Sequence, residues 1–373
     1  MQAGEKIMVA MSGGVDSSAA ALLLKEEGFD PVGVTLRFWV DPLAEERAAD
    51  DVKGCCSLDA VNDARNVCQT LGIPHYVLNM KDYFYEKVVT YFTREYFQGR
   101  TPNPCIACNR HIKFSLLAEK ARALGINYLA TGHYSRILYD SGEKMYRLFR
   151  GKDREKDQSY MLYTLSQEQL SHVIFPLGNY TKPEIRAFAL KGGLKVAEKA
   201  ESQEICFIPD NDYRGFLERE NPGAVTSGDI ISPNGEKIGM HHGLAFYTVG
   251  QRKGLGLTSP EPLYVIEIDV KNNVLTVGKE EETYSETLTA DELSFVSDRI
   301  PDHPLHVEVK IRYRAPHIPA VVHPPDGKNA RIVLAEKQKA VTPGQAVVFY
   351  QGEEVLGGGT ITSTNNTNTN TNQ

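Results

Sequence analysis

Short apolar runs alternate with longer helix-like segments through the first third of the chain. Residues 6–11 read KIMVAM and lead into Ser-Gly-Gly, and residues 16–27 then place alanine and leucine on one face before Gly28. Short apolar runs predict buried strands, and apolar residues three or four positions apart predict helices. Strands separated by helices pair in parallel through right-handed crossovers. We therefore predict a doubly wound parallel α/β sheet in an N-terminal domain over residues 1–211.

The same alternation continues along this domain. The further predicted strands are PVGVTLRFW, HYVLNM and NYLATGHY, and the further helices are SLDAVNDARNVCQTLG, residues 81–98, residues 110–124, SYMLYTLSQEQLSHV and TKPEIRAFALKGG. The last helix has Thr181 and Glu184 as a capping box and ends at Gly192. Because ligands of such sheets bind beyond the carboxyl ends of the strands, we expect the site there.

The pattern changes from about residue 221, where short alternating stretches are separated by turn signals such as Pro-Asn-Gly at 233–235 and Pro-Asp-Gly at 325–327. These signals are typical of strands joined by tight turns. We predict a small mixed or β domain over residues 212–283 and a C-terminal β-barrel over residues 284–362. The tail, residues 363–373, contains no apolar residue and is predicted to be disordered.

One barrel segment, HVEVKIRYRAPH, alternates strictly between two kinds of side chain. One set is apolar or aromatic, namely Val307, Val309, Ile311 and Tyr313, and the other is charged, namely Glu308, Lys310, Arg312 and Arg314. A strand with this period has a core face and a mostly basic face, which suits RNA phosphates. An ordinary solvated strand face is the alternative.

Composition excludes several classes of protein. The 373 residues are 41% hydrophobic and carry a formal net charge of −7. No apolar run approaches the roughly 18 to 20 residues of a membrane helix, so we expect no membrane association. The first residues lack the pattern of a signal peptide, and six unevenly spaced cysteines do not form a disulfide framework, so we expect a cytoplasmic protein with reduced thiols. Any nucleic-acid binding must come from a local basic surface.

A glycine-rich loop, SGGVDSS at residues 12–18, follows the first strand and opens the first helix. Backbone amides at Gly13 and Gly14, together with the helix dipole, are suited to binding an anion. Asp16 is either an N-cap or a ligand of Mg²⁺. The chain has no G-x-x-x-x-G-K-[ST] motif, and the absence of a loop lysine favours chemistry at an α-phosphate, with pyrophosphate released. A strand-to-helix turn without a ligand is the alternative.

The motif S-G-G-x-D-S-S after a first strand resembles the PP-loop of the ATP pyrophosphatases. Three further segments, TPNPCIACNRHIKF, GKDREKDQSYML and ESQEICFIPDNDYRGFL, together with FYTVGQRKGLGL, resemble the bacterial tRNA-specific 2-thiouridylase family. The resemblance runs from about residue 8 to residue 358, with the motifs in order. It implies an enzyme that uses ATP and Mg²⁺ to adenylate O2 of the wobble uridine of tRNA and replaces that oxygen with sulfur. The implied partners are tRNA and an upstream sulfur-donor protein carrying a persulfide.

The resemblance also assigns roles to three cysteines. Cys206 carries the persulfide, and Cys108, which we expect just ahead of a helix, is the nucleophile. Many family members have aspartate where this chain has Cys105, and the replacement creates a C-x-x-C. Cys105, Cys108 and Cys206 therefore also suggest a [4Fe–4S] cluster able to bind hydrosulfide, so the persulfide relay and the cluster remain rival hypotheses.

Other cysteine functions also remain open. Cys55, Cys56 or His111 would complete a structural zinc site, although a buried helix entry explains the first two more simply. Cys68 is predicted to lie in the core.

The resemblance assigns the other site residues in three groups. The ATP-binding residues are Ala10, Met11, Ser12, Gly13, Gly14, Val15, Asp16, Ser17, Leu36 and Gly132. The residues flanking a flipped-out target uridine are Asn103, Pro104 and Cys105. The tRNA-contacting residues are His133, Lys156, Asp157, Gln158, Arg312, Tyr313 and Gln345. Plainer alternatives are a core position for Leu36, a structural turn at residues 131–133 and a solvated loop at residues 156–158.

Two other classes of protein remain to be weighed. An ATP pyrophosphatase that forms an amide would need a source of ammonia, and no glutaminase domain is visible in the sequence. A non-catalytic RNA-binding protein with iron–sulfur or zinc would not need the intact SGGVDSS loop.

Overall fold

The computed structural model describes residues 2–47, 58–199 and 205–364. Cys55 and Cys56, and residues 365–373 of the tail, lie outside the described residues, so the zinc hypothesis for the first two and the predicted disorder of that part of the tail stay predictions.

The first sheet is parallel throughout and confirms the predicted fold class. The first seven strands are β1 (Lys6–Ala10), β2 (Asp30–Arg37), β3 (His75–Asn79), β4 (Tyr128–Ala130), β5 (Ser135–Asp140), β6 (Met145–Arg150) and β7 (Val173–Ile174). Five of them form the sheet in the order β3-β2-β1-β4-β7. From β1 the chain first adds β2 and β3 on one side and then β4 and β7 on the other. The loop after β1 therefore lies at the crevice where doubly wound sheets bind ligands.

Helices cover this sheet. They are α1 (Val15–Glu26), α2 (Pro42–Arg47), α3 (Leu58–Leu71), α4 (Lys81–Phe84), α5 (Thr90–Phe97), α6 (Pro104–Cys108), α7 (Leu117–Ala123), α8 (Gln167–His172), α9 (Lys182–Lys191) and α10 (Tyr213–Glu220). The alanine and leucine face of α1 is buried with the apolar residues of α9. As predicted, Glu184 accepts a hydrogen bond from the Thr181 amide, which caps α9, and Gly192 follows its last turn.

Two predicted helices differ from the structure. The helix expected over residues 110–124 begins at Pro104, because Asn103 is a good N-cap and proline is favoured in the first turn. It runs through α6, a π-helical stretch at Asn109–Leu116 and α7. The segment SYMLYTLSQEQLSHV is not one helix: it contains a short 3₁₀ turn at Ser159–Met161, and α8 starts only after a capping box at Ser166.

The remaining chain forms two β units. The central unit contains β8 (Gly228–Ile231), β9 (Lys237–His241), β10 (Tyr264–Asp269) and β11 (Val274–Gly278), and the C-terminal unit contains β12 (Tyr284–Phe295), β13 (Leu305–Lys310), β14 (Ile318–Val322), β15 (Ala330–Lys339), β16 (Ala346–Gln351) and β17 (Glu354–Thr364). The central sheet has the order β10-β11-β8-β9. The last six strands follow the order β12-β15-β14-β13-β16-β17 and close into a barrel because β17 also pairs with β12.

The barrel sheet includes two parts of the chain that were predicted to lie outside the barrel. The β5–β6 hairpin of the N-terminal region joins its sheet, since β6 pairs with β17 at Val355. Strand β17 continues to Thr364 and pairs there with Leu288, so residues 363 and 364 of the predicted tail belong to a strand.

The predicted basic stripe of the barrel does not form as expected. Strand β13 ends at Lys310, and Arg312 lies in the turn that follows. Lys310 is buried, and its ammonium lies 5.9 Å from the ring of Tyr160 and 5.7 Å from that of Tyr313. These rings provide a cation–π environment, and burial lowers the pKa of the Lys310 amine. Strict alternation is therefore a poor guide where a lysine packs between aromatic rings.

No helix in the described part of the chain is both long enough and apolar enough to cross a membrane.

We predict that Gly250→Ala weakens the packing of the central unit on the barrel. Gly250 has φ +85°, and a Cβ there would overlap the Cβ of Ala340. The strain and overlap should lower the free energy of unfolding by about 2 kcal/mol, measured by calorimetry. Gly352→Ala is the matched control, since Gly352 has φ +60° but open space around it, and it should cost only about 1 kcal/mol. Equal losses in the two variants would contradict the predicted contact.

Candidate active site

A cavity lies where β1, β2 and β4 end, at the edge that the sequence predicted. Its lining residues are Ala10, Met11, Ser12, Asp16, Ser17, Val34, Leu36, Phe38, Lys113, Thr131, Gly132, His133 and Gln158. One wall is apolar and consists of the side chains at the end of β2, which suits a flat base. The opposite wall consists of the glycine-rich loop and the start of α1, which suits phosphates.

The glycine-rich loop has the geometry of an anion-binding turn. Gly13 has φ +70°, and a Cβ there would overlap the backbone of Ala60 in α3, so only glycine fits. Gly14 is the N-cap of α1 and has no side chain to occupy the amides of the first turn. The Ser17 hydroxyl accepts a hydrogen bond from the Ser12 amide at 3.1 Å, which fixes the curl of the loop.

Asp16 is not the N-cap of α1, and its carboxylate binds other side chains of the protein. Its two carboxylate oxygens lie 2.7 and 2.8 Å from Lys182 Nζ, and one of them accepts a 2.8 Å hydrogen bond from the Tyr134 hydroxyl. The Lys182 side chain is only 7% exposed and the Asp16 side chain 33%, so this ion pair between the first turns of α1 and α9 is buried on the lysine side and partly open on the aspartate side. Among the described residues that line the cavity, Asp16 is the only acidic one, and Lys182 neutralises it.

Gly132 and His133 follow β4 and form the floor of the cavity. A Cβ on Gly132 would lie 2.7 Å from backbone atoms of Asp16 and Ser17, so glycine is required for β4 to approach α1. His133 packs against Phe114 and Phe175, and its Nδ1 lies 2.6 Å from Thr131 Oγ1. Burial and, to a smaller extent, the charge of Lys113 hold the pKa of His133 well below its usual value. The ring is therefore neutral at physiological pH.

Helix α6 carries the C-x-x-C. Asn103 Oδ1 accepts hydrogen bonds from the amides of Cys105 (3.1 Å) and Ile106 (3.3 Å), and Asn103 Nδ2 donates to Met161 Sδ at 3.5 Å. Cys105 is exposed in the first turn, whereas Cys108 is buried one turn later. The expectation that Cys108 precedes a helix is therefore wrong, because the helix already begins at Pro104.

The π-helical stretch after Cys108 turns a lysine toward the cavity. In an α-helix, Lys113 would lie about 140° around the axis from Cys108. Hydrogen bonds from residue i to i+5 widen the turn, so residues five positions apart lie nearly above one another. Lys113 lines the cavity. One continuous helix therefore bears Cys108 near its start and a cavity-lining cation one wide turn later.

Cys206 is half-buried and packs against the large apolar cluster to which Cys108 belongs. Within residues 2–47, 58–199 and 205–364, no three His, Cys, Asp or Glu side chains are grouped closely enough to hold a metal ion. The [4Fe–4S] hypothesis for Cys105, Cys108 and Cys206 stays a prediction. Cys68 is buried as predicted, and burial raises its pKa to about 11.

The residues that the resemblance assigned to tRNA lie in different surroundings. Asp157 is buried, and its carboxylate accepts hydrogen bonds from the amides of Gly151 and Ser159, so it organises its own loop. Gln158 lines the cavity and accepts a hydrogen bond from the Tyr134 amide, while Lys156 is half-exposed.

In the C-terminal barrel, Arg312 is exposed and donates to the Lys339 carbonyl oxygen. Tyr313 is half-buried against the ring of Tyr160. Gln345 Nε2 donates to the Thr101 carbonyl oxygen at 2.8 Å. Thr101 lies just before the cysteine helix, the helix that begins at Pro104 and bears Cys105 and Cys108.

Sequence reasoning missed Lys182, Lys113, Phe38 and Tyr134. Lys113 could have been identified from the sequence, since it lies in the motif TPNPCIACNRHIKF, five residues after Cys108. Nothing in the sequence indicated that Lys182 is part of the site, because a lysine in the first turn of a surface helix ordinarily faces solvent.

The fold and the cavity together define a nucleotide-binding α/β domain with a thiol-bearing helix at its active edge. Family models agree with this class over the chain. Residues 5–210 match the "tRNA methyl transferase HUP domain", residues 214–279 the "tRNA methyl transferase PRC-barrel domain" and residues 285–361 the "Aminomethyltransferase beta-barrel domain".

Full-length relatives identify the family more narrowly. The chain is 52% identical over 361 residues, 97% of its own length and 99% of the relative's, to "tRNA-specific 2-thiouridylase MnmA 1" of Caldanaerobacter subterraneus subsp. tengcongensis. It is 51% identical to "tRNA-specific 2-thiouridylase MnmA" of Carboxydothermus hydrogenoformans, covering 96% of this chain and 97% of the relative. The protein of the same name from Heliobacterium modesticaldum is 53% identical, with coverages of 96% and 92%. The chain belongs to the tRNA-specific 2-thiouridylase family.

We predict that Lys182→Met selectively weakens the binding of ligands with several phosphates. Without the Lys182 ammonium, the charge of Asp16 faces the phosphates unneutralised. Without Mg²⁺, the affinity for ATP should fall about tenfold, and that for adenosine by less than about twofold, by calorimetric titration.

Lys191→Met changes an exposed lysine at the other end of α9 and should leave both affinities as they are. An equal loss for ATP and adenosine would mean that Lys182 supports the fold of the cavity rather than its charge.

Proposed function

We propose that this protein is an ATP-dependent tRNA-uridine 2-sulfurtransferase that converts the wobble uridine of tRNA to 2-thiouridine. It adenylates O2 of the uracil and then introduces sulfur delivered from a cysteine persulfide. The proposal extends to this protein the function for which its relatives are named, and these relatives cover nearly the whole chain.

The observation that supports the proposal best is the shared helix. Cys108 lies near the start of the helix, and Lys113 on the same helix lines the cavity. A reaction that activates an atom with ATP and then replaces it with sulfur needs the nucleotide and the thiol chemistry side by side. A helix that contributes to both keeps their separation fixed.

The first step is adenylation. O2 of the uracil attacks the α-phosphate of ATP, the bond to the β-phosphate bridging oxygen breaks, and pyrophosphate leaves with that electron pair. The amides of the Gly13–Gly14 turn and the dipole of α1 stabilise the negative phosphates. Asp16, whose side chain is 33% exposed although it is paired with Lys182, and the loop hydroxyls would hold Mg²⁺, which would neutralise the leaving pyrophosphate. The neutral ring of His133 can hydrogen-bond a ligand in the cavity without adding charge.

The second step replaces the activated oxygen. The terminal sulfur of a persulfide on Cys206 attacks C2 of the uracil, and AMP departs with the former O2. The Cys108 thiolate then attacks the Cys206 sulfur, breaks the sulfur–sulfur bond and releases the 2-thiouridine. If Cys108 attacks first, hydrosulfide is released and performs the substitution. Both orders leave a Cys108–Cys206 disulfide, and a two-electron reductant, such as a dithiol, returns it to thiols.

Other reactions have less support. The family model that matches the N-terminal part of the chain is described as a tRNA methyl transferase domain. The glycine-rich loop and the thiol-bearing helix, however, suit adenylation and sulfur chemistry. A [4Fe–4S] route would hold the cluster on Cys105, Cys108 and Cys206, and the described residues contain no group of three His, Cys, Asp or Glu side chains that could hold a metal ion. Cys105 then has no required part in the relay. Its position beside the capping residue Asn103 is consistent with a contact to the target base.

We predict that Cys108→Ser and Cys206→Ser each abolish thiolation. Purified protein is incubated with ATP, Mg²⁺, a persulfide donor and unmodified tRNA, and 2-thiouridine is measured in digested tRNA by mass spectrometry. Each variant should lose at least about a thousandfold in rate, because the hydroxyl neither carries nor accepts sulfur.

Cys68→Ser is the control, since Cys68 lies in the core away from the cavity lining. ATP affinity should persist in both active-site variants. An active Cys206→Ser protein would contradict the relay, and a wild-type protein that forms no 2-thiouridine, with or without oxygen, would contradict the whole proposal.

We further predict that Cys105→Asp remains active. A persulfide relay does not use Cys105, so the rate should stay within about threefold of wild type. Anaerobically purified wild-type protein should contain no stoichiometric iron or acid-labile sulfide. Iron and sulfide near four per chain, lost together with activity in Cys105→Ser, would favour the cluster instead.

A further inference from the structure

The motif FYTVGQRKGLGL, which the proposed reaction does not use, forms a loop with a concentrated positive charge. Arg252 and Lys253 are exposed on it, and Arg214 of α10 lies alongside, with Nη2 3.4 Å from the position of a Cβ on Gly254. Among the described residues, no carboxylate pairs with any of these three cations. In a chain of net charge −7, these three cations give the loop a local positive charge.

The loop is held in place rather than left free. Gln251 Oε1 accepts a hydrogen bond from the Thr248 amide at 3.1 Å, and Gln251 Nε2 donates to the Lys253 carbonyl oxygen at 3.0 Å. The Gly250 amide donates to Val265 of β10, and Leu255 is buried beneath the loop. The cations are therefore presented on an ordered backbone, which lowers the entropic cost of binding a ligand.

The loop also lies next to the residues on which the proposed function depends. Thr342 Oγ1 donates to the Val249 carbonyl oxygen at 3.4 Å, and the Thr248 hydroxyl lies 2.9 Å from that of Thr101, before the cysteine helix. The barrel segment that contacts the loop, residues 339–345, accepts a hydrogen bond from Arg312 and contains Gln345. The segment that leads into Arg252 and Lys253 therefore contacts both the residue before the cysteine helix and the barrel segment that contains Gln345.

We propose that Arg214, Arg252 and Lys253 form a phosphate-binding surface that holds the sugar–phosphate backbone of the tRNA. This inference rests on the proposed function, because it names a further part of the substrate-binding surface. Exposed cations without acidic partners suit a polyanion, and phosphate contacts set the register of an RNA on a protein without reading its sequence. The central unit then contributes directly to RNA binding, between the cysteine helix and the barrel.

The test is the salt dependence of tRNA binding by Arg252→Gln/Lys253→Gln. The dissociation constant for unmodified tRNA is measured at several KCl concentrations. The double variant should bind about tenfold more weakly at low salt, and the slope of log Kd against log[KCl] should fall by roughly 1.5 to 2. Arg214→Gln alone should lower the slope by about 1. Melting temperatures of the variants should match that of the wild type.

Lys237→Gln is the control, because Lys237 lies on the same central sheet but its ammonium is already 2.7 Å from Asp229. It should leave the slope unchanged. An unchanged slope in the double variant, or weaker binding with a lowered melting temperature, overturns the inference. Intact tRNA binding with slower sulfur delivery from a persulfide-carrying protein would assign the surface to that protein and also overturns it. If the wild type forms no 2-thiouridine, the proposed function fails, whatever the slopes are.

Discussion

The backbone of Thr101 is the point on which the arrangement of the active site depends. Its amide donates to the Pro343 carbonyl oxygen at 2.8 Å, its carbonyl oxygen accepts from Gln345 Nε2 at 2.8 Å, and its hydroxyl lies 2.9 Å from that of Thr248. Gly344 permits this approach, since it has φ +91° and a Cβ on it would lie 2.7 Å from the Thr101 amide. One residue is therefore held by both the central unit and the barrel. Because the cap of the cysteine helix follows two residues later, the position of that helix depends on all three parts of the chain.

This dependence links Gln345, an expected tRNA contact, to the position of the thiols. The resemblance assigns it to tRNA, and in the structure its side-chain amide fixes the segment before the thiols. An RNA that settles on the barrel beside Gln345 thus lies next to a bond that positions Asn103 and the helix it caps. The β5–β6 hairpin, which joins the barrel sheet from within the N-terminal region, restricts the barrel further. Through these links both β units help to hold the segment that precedes the cysteine helix.

The parts of this structure that the sequence predicted are those determined by local rules. The strand, glycine turn and helix around Gly13 follow from short-range patterns, and so does the capping box of α9. The features that it did not predict are set by distant contacts. Lys310 looks like a solvent-facing residue of an alternating strand, but two aromatic rings enclose it, one of them from residue 160. Similarly, the pairing of Lys182 with Asp16 joins residues 166 positions apart, and no local pattern reports it.

The absence of a lysine in the glycine-rich loop has a consequence for the order of events. The positive charge at this cavity comes from outside the loop: Lys113 on the cysteine helix lines the cavity, and Lys182 on α9 pairs with the lining residue Asp16. Lys182 is already neutralised by Asp16, so Lys113 is the cation whose charge faces the cavity without an acidic partner among its lining residues. Its position is set by the helix that begins at Asn103, and that helix is held by Thr101. Charge stabilisation of the nucleotide and placement of Cys108 therefore vary together: a displacement of the cysteine helix that moves the thiol also moves the lysine. Such a link would make adenylation most favourable when the thiol is also in place to complete the exchange of oxygen for sulfur.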